Sequence, residues 1–368
     1  MKLCLLLNFA SHYRASIFQL IDRSFDCEWC FGDSASDIKK MDYSVLSGPV
    51  FESHTRKLFA GWYWQPGILS KLRSQNTHFI ITGDVRSLST WTFCILARLF
   101  YPQKKVYFWT HGWYGKETWL ESVVKMLEYR LLNGGIFTYG YYAKRLMVEK
   151  GMDSNKLFVI HNSLDYDSQL RLRKELVSKP IYSDHFRNDN PNLVFVGRLT
   201  PVKKLDQILK SMIVSKSKGH DYNLTLIGGG EMKEYLQDLA AKIGLDSNVW
   251  FFGPCYEEQV LASMIYNADL CVSPGNIGLT AMHSMVYGTP CVTHNSFPLQ
   301  MPEFEAIEEW KTGAFFELND IESLSDCIDK WFELKSNNRD SVRHDCYTEI
   351  DTQWTPYFQL DVLKRNLH

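Results

Sequence analysis

Short apolar runs alternate with amphipathic segments along this chain, and the alternation runs through both halves. The apolar runs of the first half are residues 2–8, 27–32, 77–84, 105–111, 134–140 and 157–162. Those of the second half are residues 192–198, 223–230, 248–254, 269–275, 289–295 and 313–317. Segments with helical periodicity lie between many of them: 88–100, 117–132, 141–150, 205–217, 231–243 and 257–267. Buried strands that alternate with helices form parallel, doubly wound sheets, so the sequence predicts an α/β protein with two Rossmann-like domains.

The length of 368 residues is enough for two domains of ordinary size. We place the first domain at residues 1–165 and the second at residues 192–345. Residues 166–191 are polar and contain Pro180 and Pro191, which is typical of a linker. Residues 346–368 are predicted to form a C-terminal segment that crosses back to the first domain.

The composition narrows the class of protein. No apolar run approaches the roughly 18 residues of a membrane-spanning helix. Nine scattered cysteines suit a reducing cytoplasm. The sequence contains no His, Cys and Asp cluster with metal-ligand spacing, so we predict no metal site and no resident cofactor. No nucleic-acid partner is predicted.

Charge is spread unevenly along the chain. Residues 1–165 carry 20 Lys and Arg against 14 Asp and Glu, and the remaining residues carry 20 against 28. A basic first half suits anionic lipids or phosphorylated substrates, although ordinary scatter of surface charge gives the same count. The first half also concentrates aromatic residues at Trp62, Trp64, Trp113 and Tyr114. Such residues stack on sugar rings, enter membrane interfaces or pack in cores.

The segment from Pro274 to Pro290 joins a predicted strand to a helix through a Gly-x-x-Gly turn at Gly275 and Gly278. Glycines let a phosphate approach the backbone, and the first turn of a helix leaves N–H groups that point at such an anion. A tight strand-to-helix turn without a ligand is the alternative interpretation.

Two cations follow the first strand of the second half. Arg198 lies at the predicted strand end and Lys203 near the next helix, where ligands bind to open parallel sheets. A fork-shaped guanidinium and an ammonium suit a diphosphate, and a solvated basic turn is the alternative. A second glycine-rich turn follows at residues 228–230.

Several short motifs occur in order over residues 192–320. They are Gly197-Arg-Leu-Thr-Pro-Val-Lys203, the turn at residues 228–230, Phe251-Phe-Gly253, Ala268-Asp269, Gly288-Thr-Pro290 and Thr312-Gly313. The set resembles the donor domain of glycosyltransferase family 4, whose members are retaining enzymes of the GT-B fold, with two Rossmann-like domains and an interdomain cleft. The resemblance implies that a nucleotide sugar is bound by Gly197, Gly229, Gly230, Gly275, Asn276, Ile277, Gly278 and Leu279.

The sequence departs from the family at its Glu-x7-Glu motif. The register set by Gly278 and Gly288 puts Gly275 and His283 at the two glutamate positions. In the family the second glutamate is associated with the nucleotide ribose. We expect His283 to accept a hydrogen bond from a ribose hydroxyl, with a core-facing His as the alternative. Glu305, with Glu303 two residues earlier, is expected near the donor.

The resemblance is thinner in the first half. His111 follows an apolar run and precedes Gly112, and it resembles the family's first-domain His near the reacting centre. We therefore assign His111, Arg198 and Lys203 to catalysis, with a structural His as the alternative at His111. His12 and Arg14 follow the first predicted strand and are assigned to acceptor binding, with a plain surface loop as the alternative.

These features predict a retaining, metal-independent glycosyltransferase. Its donor would be a nucleoside-diphosphate sugar, and its acceptor a glycan or a polyprenyl-diphosphate-linked sugar. Bacterial capsule or O-antigen synthesis in the cytoplasm is the expected setting, at the inner face of the membrane and with a peripheral contact to anionic lipid. Two alternatives remain: a sugar-nucleotide epimerase of the same fold, and a non-catalytic binding protein that has lost both glutamates.

Overall fold

The structure is a computed structural model that describes residues 1–33 and 39–368. The chain divides into two compact units. The first contains Met1–Asp165 together with Thr355–His368, and the second contains Tyr166–Trp354.

Within the described residues, the first unit contains nine strands and five α-helices. Four of the helices come from the N-terminal part of the chain and one from its C-terminal end. Its strands are β1 (Lys2–Leu7), β2 (Asp26–Gly32), β3 (Val50–Ser53), β4 (Arg56–Lys57), β5 (Tyr63–Trp64), β6 (His78–Thr82), β7 (Lys105–Thr110), β8 (Gly135–Thr138) and β9 (Leu157–Val159). Its helices are α1 (Ala15–Ser24), α2 (Leu88–Phe100), α3 (Trp119–Tyr129), α4 (Tyr141–Glu149) and, at the far end of the chain, α13 (Pro356–Asn366).

Within the described residues, seven strands of the first unit form a parallel sheet in the order β3-β2-β1-β6-β7-β8-β9. Strand β1 lies in the middle and is buried on both faces. Leu3, Leu5 and Leu7 face the cluster that contains α1 and α13, whereas Cys4 and Leu6 face the cluster that contains α2, α3 and α4. This two-sided burial explains why the strands read as continuous apolar runs in the sequence.

Helix α13 completes the first of these two clusters. Leu360 and Leu363 pack against the α1 side of the sheet. Gln359 of α13 is hydrogen-bonded to the segment that follows β9. Its Nε2 donates to the carbonyl of His161 at 2.8 Å, and its Oε1 accepts from Ser163 Oγ at 2.6 Å. The last residues of the chain are therefore part of the first unit's core.

The second unit contains six strands and eight helices within the described residues. The strands are β10 (Asn192–Val196), β11 (Asn223–Ile227), β12 (Val249–Gly253), β13 (Leu270–Ser273), β14 (Cys291–His294) and β15 (Gly313–Phe316). The helices are α5 (Tyr166–Glu175), α6 (Ile181–Phe186), α7 (Asp206–Ser217), α8 (Lys233–Lys242), α9 (Glu258–Asn267), α10 (Leu279–Met285), α11 (Ile321–Lys335) and α12 (Arg339–Gln353).

All six strands of the second unit run parallel, in the order β12-β11-β10-β13-β14-β15. The strand order reverses direction at β10 and β13. These strands are neighbours in the sheet although their paired residues, such as Leu193 and Leu270, are 77 positions apart along the chain. In an open parallel sheet such a reversal opens a crevice at the carboxyl ends of the strands, and ligands bind there.

Two expectations about domain boundaries are modified by the structure. Residues 166–191 contain α5 and α6, and they cluster with the second unit instead of forming a free connection. Their polar composition is that of helices with one solvated face. Residues 346–353 end α12 within the second unit, so the return to the first unit begins at Thr355. Among the aromatic residues, Trp113 is only 1% exposed and packs in the core.

No helix in the described residues combines the length and the apolar character needed to cross a membrane.

Candidate functional site

The loop that carries Arg198 is held against the glycine turn of the neighbouring strand. The N–H of Leu199 donates to the carbonyl of Gly229 at 2.9 Å. A Cβ on Gly228 would lie 1.8 Å from the carbonyl oxygen of Gly197, and Gly228 has a φ of +151°. Only glycine allows this close backbone packing. The contact fixes the position of Arg198, whose side chain is exposed at the carboxyl end of β10.

Lys203 is anchored on the Gly-x-x-Gly turn. It ends a short 3-10 helix, Pro201–Lys203, and its Nζ donates to the carbonyl of Asn276 at 2.6 Å and to Asn276 Oδ1 at 2.9 Å. An ammonium group has three donors. Since these are its two hydrogen bonds within the described residues, one donor remains for a ligand at the carboxyl ends of β10 and β13.

The electrostatic surroundings of Lys203 mix both signs of charge. Burial lowers the pKa of Lys203, the nearby carboxylate of Glu303 raises it, and the guanidinium of Arg198 lowers it again. The two cations are therefore close enough to repel each other. An anion bound beside them would relieve this repulsion, which is the arrangement expected of a diphosphate site.

Gly275 is required by the same packing. A Cβ at this position would lie 2.0 Å from the carbonyl oxygen of Val202, and the N–H of Gly275 donates to the carbonyl of Lys203 at 3.1 Å. Any larger residue would push the Lys203 loop away from the turn. A side chain at position 275 would break this backbone contact.

The turn then opens into α10 through Gly278, whose φ is +53°. Gln300 stabilises the turn by linking it to β14. Its Oε1 accepts from the N–H of Ile277 at 3.0 Å, and its Nε2 donates to Thr293 Oγ1 at 2.8 Å. The N–H groups of Leu279 and the residue after it begin the helix, so no earlier carbonyl of α10 accepts from them.

His283 contacts a carboxylate at the start of α9. Its Nε2 lies 3.0 Å from Glu258 Oε1, and Tyr287 donates its hydroxyl to the same oxygen at 2.6 Å. Burial raises the pKa of Glu258, but hydrogen bonds from His283, Tyr287 and Gln169 outweigh burial and lower this pKa to about 2. An ionised carboxylate only accepts hydrogen bonds, so the Nε2 of His283 carries a proton and donates.

The contact with Glu258 leaves only one ring nitrogen of His283 for the expected hydrogen bond from a ribose hydroxyl. In the neutral ring, Nδ1 is left as the acceptor for a ligand hydroxyl. Binding of a ribose through His283 stays a prediction. Glu305 is half-buried in the 3-10 helix Pro302–Ala306, whereas Glu303 is only 2% exposed and is the carboxylate that acts on Lys203.

In the first unit, His111 follows β7 in an aromatic setting. Its ring centroid lies 4.7 Å from that of Tyr139 and 5.7 Å from that of Tyr114. Burial, together with the charges of Arg14 and Lys125, lowers the pKa of His111 to about 4. The imidazole is neutral at pH 7, and its Nδ1 is shut off from solvent without a hydrogen-bond partner in the described residues.

Arg14 and His12 take different positions. The guanidinium of Arg14 lies 4.3 Å from the ring centroid of Trp109 and acts electrostatically on His111. His12 is exposed, and its Nδ1 lies 3.1 Å from the carbonyl oxygen of Lys39. The structure therefore brings Arg14 to His111 and leaves His12 on the outside of the short helix His12–Arg14.

Two further residues shape the loop after His111, and neither was identified by the sequence analysis. Lys125 of α3 donates to the carbonyl of Gly112 at 2.9 Å and to Glu117 Oε1 at 2.7 Å. Glu117 also accepts from the N–H groups of Tyr114 and Gly115 at 2.8 and 2.9 Å. This network fixes the loop and places a positive charge near the imidazole.

No three His, Cys, Asp or Glu side chains of residues 1–33 and 39–368 are grouped closely enough to hold a metal ion.

The second unit and the whole chain each resemble known proteins. Residues 182–347 match the sequence profile of the family described as glycosyl transferases group 1. A protein of Klebsiella pneumoniae, described as an uncharacterised 41.2 kDa protein in the cps region, is 24% identical over 221 residues, which are 56% of this chain and 55% of that protein. An uncharacterised glycosyltransferase of Methanocaldococcus jannaschii is 28% identical over 144 residues, 38% of this chain and 36% of the relative. The chain thus spans about half or less of the length of these curated relatives.

Solved structures resemble the whole chain. The lipopolysaccharide outer core galactosyltransferase WaaB, in its apo form, superposes with a TM-score of 0.70 at 14% identity and covers 100% of this chain and 99% of its own. HepE from Anabaena in complex with UDP gives a TM-score of 0.72 at 12% identity with the same coverage. Identities this low show the fold alone. The chain therefore has the GT-B fold, and its residues 182–347 match the glycosyl transferases group 1 family.

Proposed function

We propose that this chain transfers a sugar from a nucleoside-diphosphate sugar to an acceptor, with the second unit binding the donor. The observation that carries the proposal is the anchoring of Lys203 on Asn276. This contact joins the loop after β10 to the loop after β13, at the point where the strand order reverses. Arg198, a remaining ammonium donor and the start of α10 meet there, and together they suit a diphosphate.

Chemistry at this site would depend on stabilising charge on the leaving diphosphate. As the bond between the sugar and the diphosphate breaks, negative charge grows on the phosphate oxygens, and fixed cations stabilise it. Arg198 and Lys203 would supply these cations without a metal ion. The resemblance to glycosyltransferase family 4 supports retention of the anomeric configuration.

The first unit would bind the acceptor. A neutral His111 beside Arg14 and Lys125 can hydrogen-bond a sugar hydroxyl while cations hold an acceptor phosphate. The Klebsiella relative in a cps region and the lipopolysaccharide galactosyltransferase of the same fold support a glycan or lipid-linked acceptor in bacterial surface polysaccharide synthesis. Because HepE was solved with UDP, UDP-sugars are the first donors to test.

The test is incubation of the protein with a panel of UDP- and GDP-sugars, followed by mass spectrometry. Release or transfer of the sugar supports a transferase. A new isomer of the nucleotide sugar would indicate an epimerase, and no change in any donor would indicate a binding protein.

Two variants test the site itself. Arg198→Ala or Lys203→Ala is expected to lower turnover about 30- to 1000-fold, the effect of removing one charge-assisted contact in a transition state. Lys204→Ala is the matched control, because Lys204 is the next residue and donates to Asn319 at 2.6 Å. Turnover within threefold of wild type in the first two variants would contradict the assignment.

A further inference from the structure

Two helices of the first unit leave large apolar side chains in solvent. We call this set the α2–α3 surface; its members are Ile95, Leu99 and Phe100 of α2 and Trp119, Leu120 and Leu127 of α3. Their exposed fractions range from 41% at Ile95 to 79% at Trp119. Single exposed apolar residues are ordinary, but several on adjacent helices mark an interaction site.

The two helices are neighbours. Each crosses between adjacent parallel strands, α2 from β6 to β7 and α3 from β7 to β8, and right-handed crossovers in the same direction lie on the same face of a sheet. Arg98 of α2 connects them, because its Nη1 donates at 2.9 Å to the carbonyl of Arg130, the residue directly after α3. The inner faces of both helices already pack in the core through Phe93 and Tyr129. The α2–α3 surface is therefore a second apolar face, directed outward.

Basic residues accompany this surface. Residues 86–150 contain 10 Lys and Arg against 4 Asp and Glu. The rest of residues 1–165 contains equal numbers of each, so the whole positive excess of the first half lies in this segment. Arg98, Lys116 and Arg130 are exposed at the ends of the two helices. These three cations of the segment flank the α2–α3 surface.

Exposed apolar side chains flanked by cations favour a lipid surface as the partner. Trp, Leu and Phe side chains with flanking Arg and Lys are typical of elements that lie at a bilayer interface, where the apolar groups enter the acyl boundary and the cations meet anionic headgroups. A second copy of the chain fits less well. In a twofold interface the same patch is present on both sides, so Arg98 and Arg130 of each copy would bring like charges to one interface.

We propose that the α2–α3 surface docks this protein on bilayers that contain anionic lipid. This proposal rests on the proposed function, because docking would serve a transferase whose acceptor is linked to a lipid. Helix α3 begins eight residues after His111, so Trp119 lies at the carboxyl edge of the sheet that carries the imidazole. Docking through α3 would bring this edge to a lipid-linked acceptor.

Flotation with vesicles tests the proposal without any donor or acceptor. The wild-type protein is mixed with vesicles of phosphatidylcholine alone, or of phosphatidylcholine and phosphatidylglycerol in equal amounts. We expect flotation with the mixed vesicles at low salt and weaker flotation at high salt, because salt screens the contact between Arg side chains and headgroups. The double variant Leu99→Glu/Leu127→Glu is expected to bind at least ~10-fold more weakly, because it places carboxylates where apolar groups would enter the bilayer.

Leu334→Glu is the matched control, since Leu334 lies on α11 of the second unit with 50% exposure, close to the 53% of Leu127. It is expected to float as wild type does, and melting temperatures show that all variants are folded. Three results would overturn the proposal: no binding of wild type to mixed vesicles, unchanged binding of the double variant, or a dimer that the double variant dissociates without any vesicle binding. Donor hydrolysis in solution is measured separately, so failure of docking and failure of the transferase proposal are distinguishable.

Discussion

Glu128 provides a quantitative test of the first unit's electrostatics. This residue lies in α3 with its side chain completely buried, and neither carboxylate oxygen has a hydrogen-bond partner in the described residues. Burial, reinforced by the charge of Asp84 and opposed by that of Lys125, raises the pKa of Glu128 to about 8. The folded state therefore holds a proton on Glu128 at pH 7, whereas the unfolded state releases it near pH 4.5.

The sign of the effect on stability follows from this difference. Between pH 4.5 and about 8 the folded state binds one proton more than the unfolded state, so stability falls as pH rises through that window. Each pH unit costs about 1.4 kcal/mol. Glu128→Gln keeps the shape of the protonated side chain and removes this cost. Between pH 5 and 7.5 the variant is expected to gain about 3 kcal/mol relative to wild type.

The assay is thermal unfolding of both proteins at the two pH values. A gain of this size corresponds to a melting-temperature difference that grows by roughly 6–12 °C from pH 5 to pH 7.5. Glu149→Gln is the control, because Glu149 is an exposed carboxylate on α4 whose ion pair with Arg145 is long, at 3.8 Å. The reasoning is refuted if Glu128→Gln changes the melting temperature equally at both pH values.

Three further outcomes are expected. Gly275→Ala forces a Cβ against the carbonyl of Val202, and should cost about 1–3 kcal/mol in calorimetric stability and weaken donor binding; an unchanged melting temperature would contradict the packing. His283→Glu puts a second carboxylate beside Glu258 and should lower the melting temperature through like-charge repulsion. Adding Glu258→Gln to that variant should restore the melting temperature, and a failure to restore it would show that repulsion is not the cause. Because the pKa of the half-buried His111 is lowered, wild type should lose stability as pH falls from about 6.5 to about 4. His111→Gln should therefore show a shallower pH dependence of stability in urea titrations across that window, and an unchanged slope would argue against the lowered pKa.

Most of the fold was predictable because burial leaves a strong mark on the sequence. Every strand predicted from an apolar run is present in the two parallel sheets, with boundaries within a few residues. The elements that were missed carry weaker marks. Helix α1 starts after Arg14 without a side-chain cap, and β3 is an edge strand whose residues Phe51 and Glu52 are exposed. Neither has the clear start signal or the continuous burial on which the prediction depended.

The candidate site was predictable only in part, because its contacts join distant parts of the chain. Glycine turns and cations are local patterns, and they located Arg198 and Lys203. The partner of Lys203 is Asn276, 73 residues away, and nothing near either residue specifies the other. The same holds for His283 and Glu258, whose contact depends on the packing of α9 beside α10. The register of a sequence motif predicts positions along the chain, but it does not identify the side chains that contact those positions.

The contribution of α13 to the first unit sets an order of events during synthesis. Leu360 and Leu363 are part of the cluster around β1, yet the ribosome makes them after the whole of Tyr166–Trp354. The second unit is continuous, so it can complete its sheet as soon as it emerges. The first unit, although translated first, waits with an open apolar face until Thr355–His368 arrive. The first unit is thus translated first but completes its folding last, and it is the unit that a chaperone would have to protect.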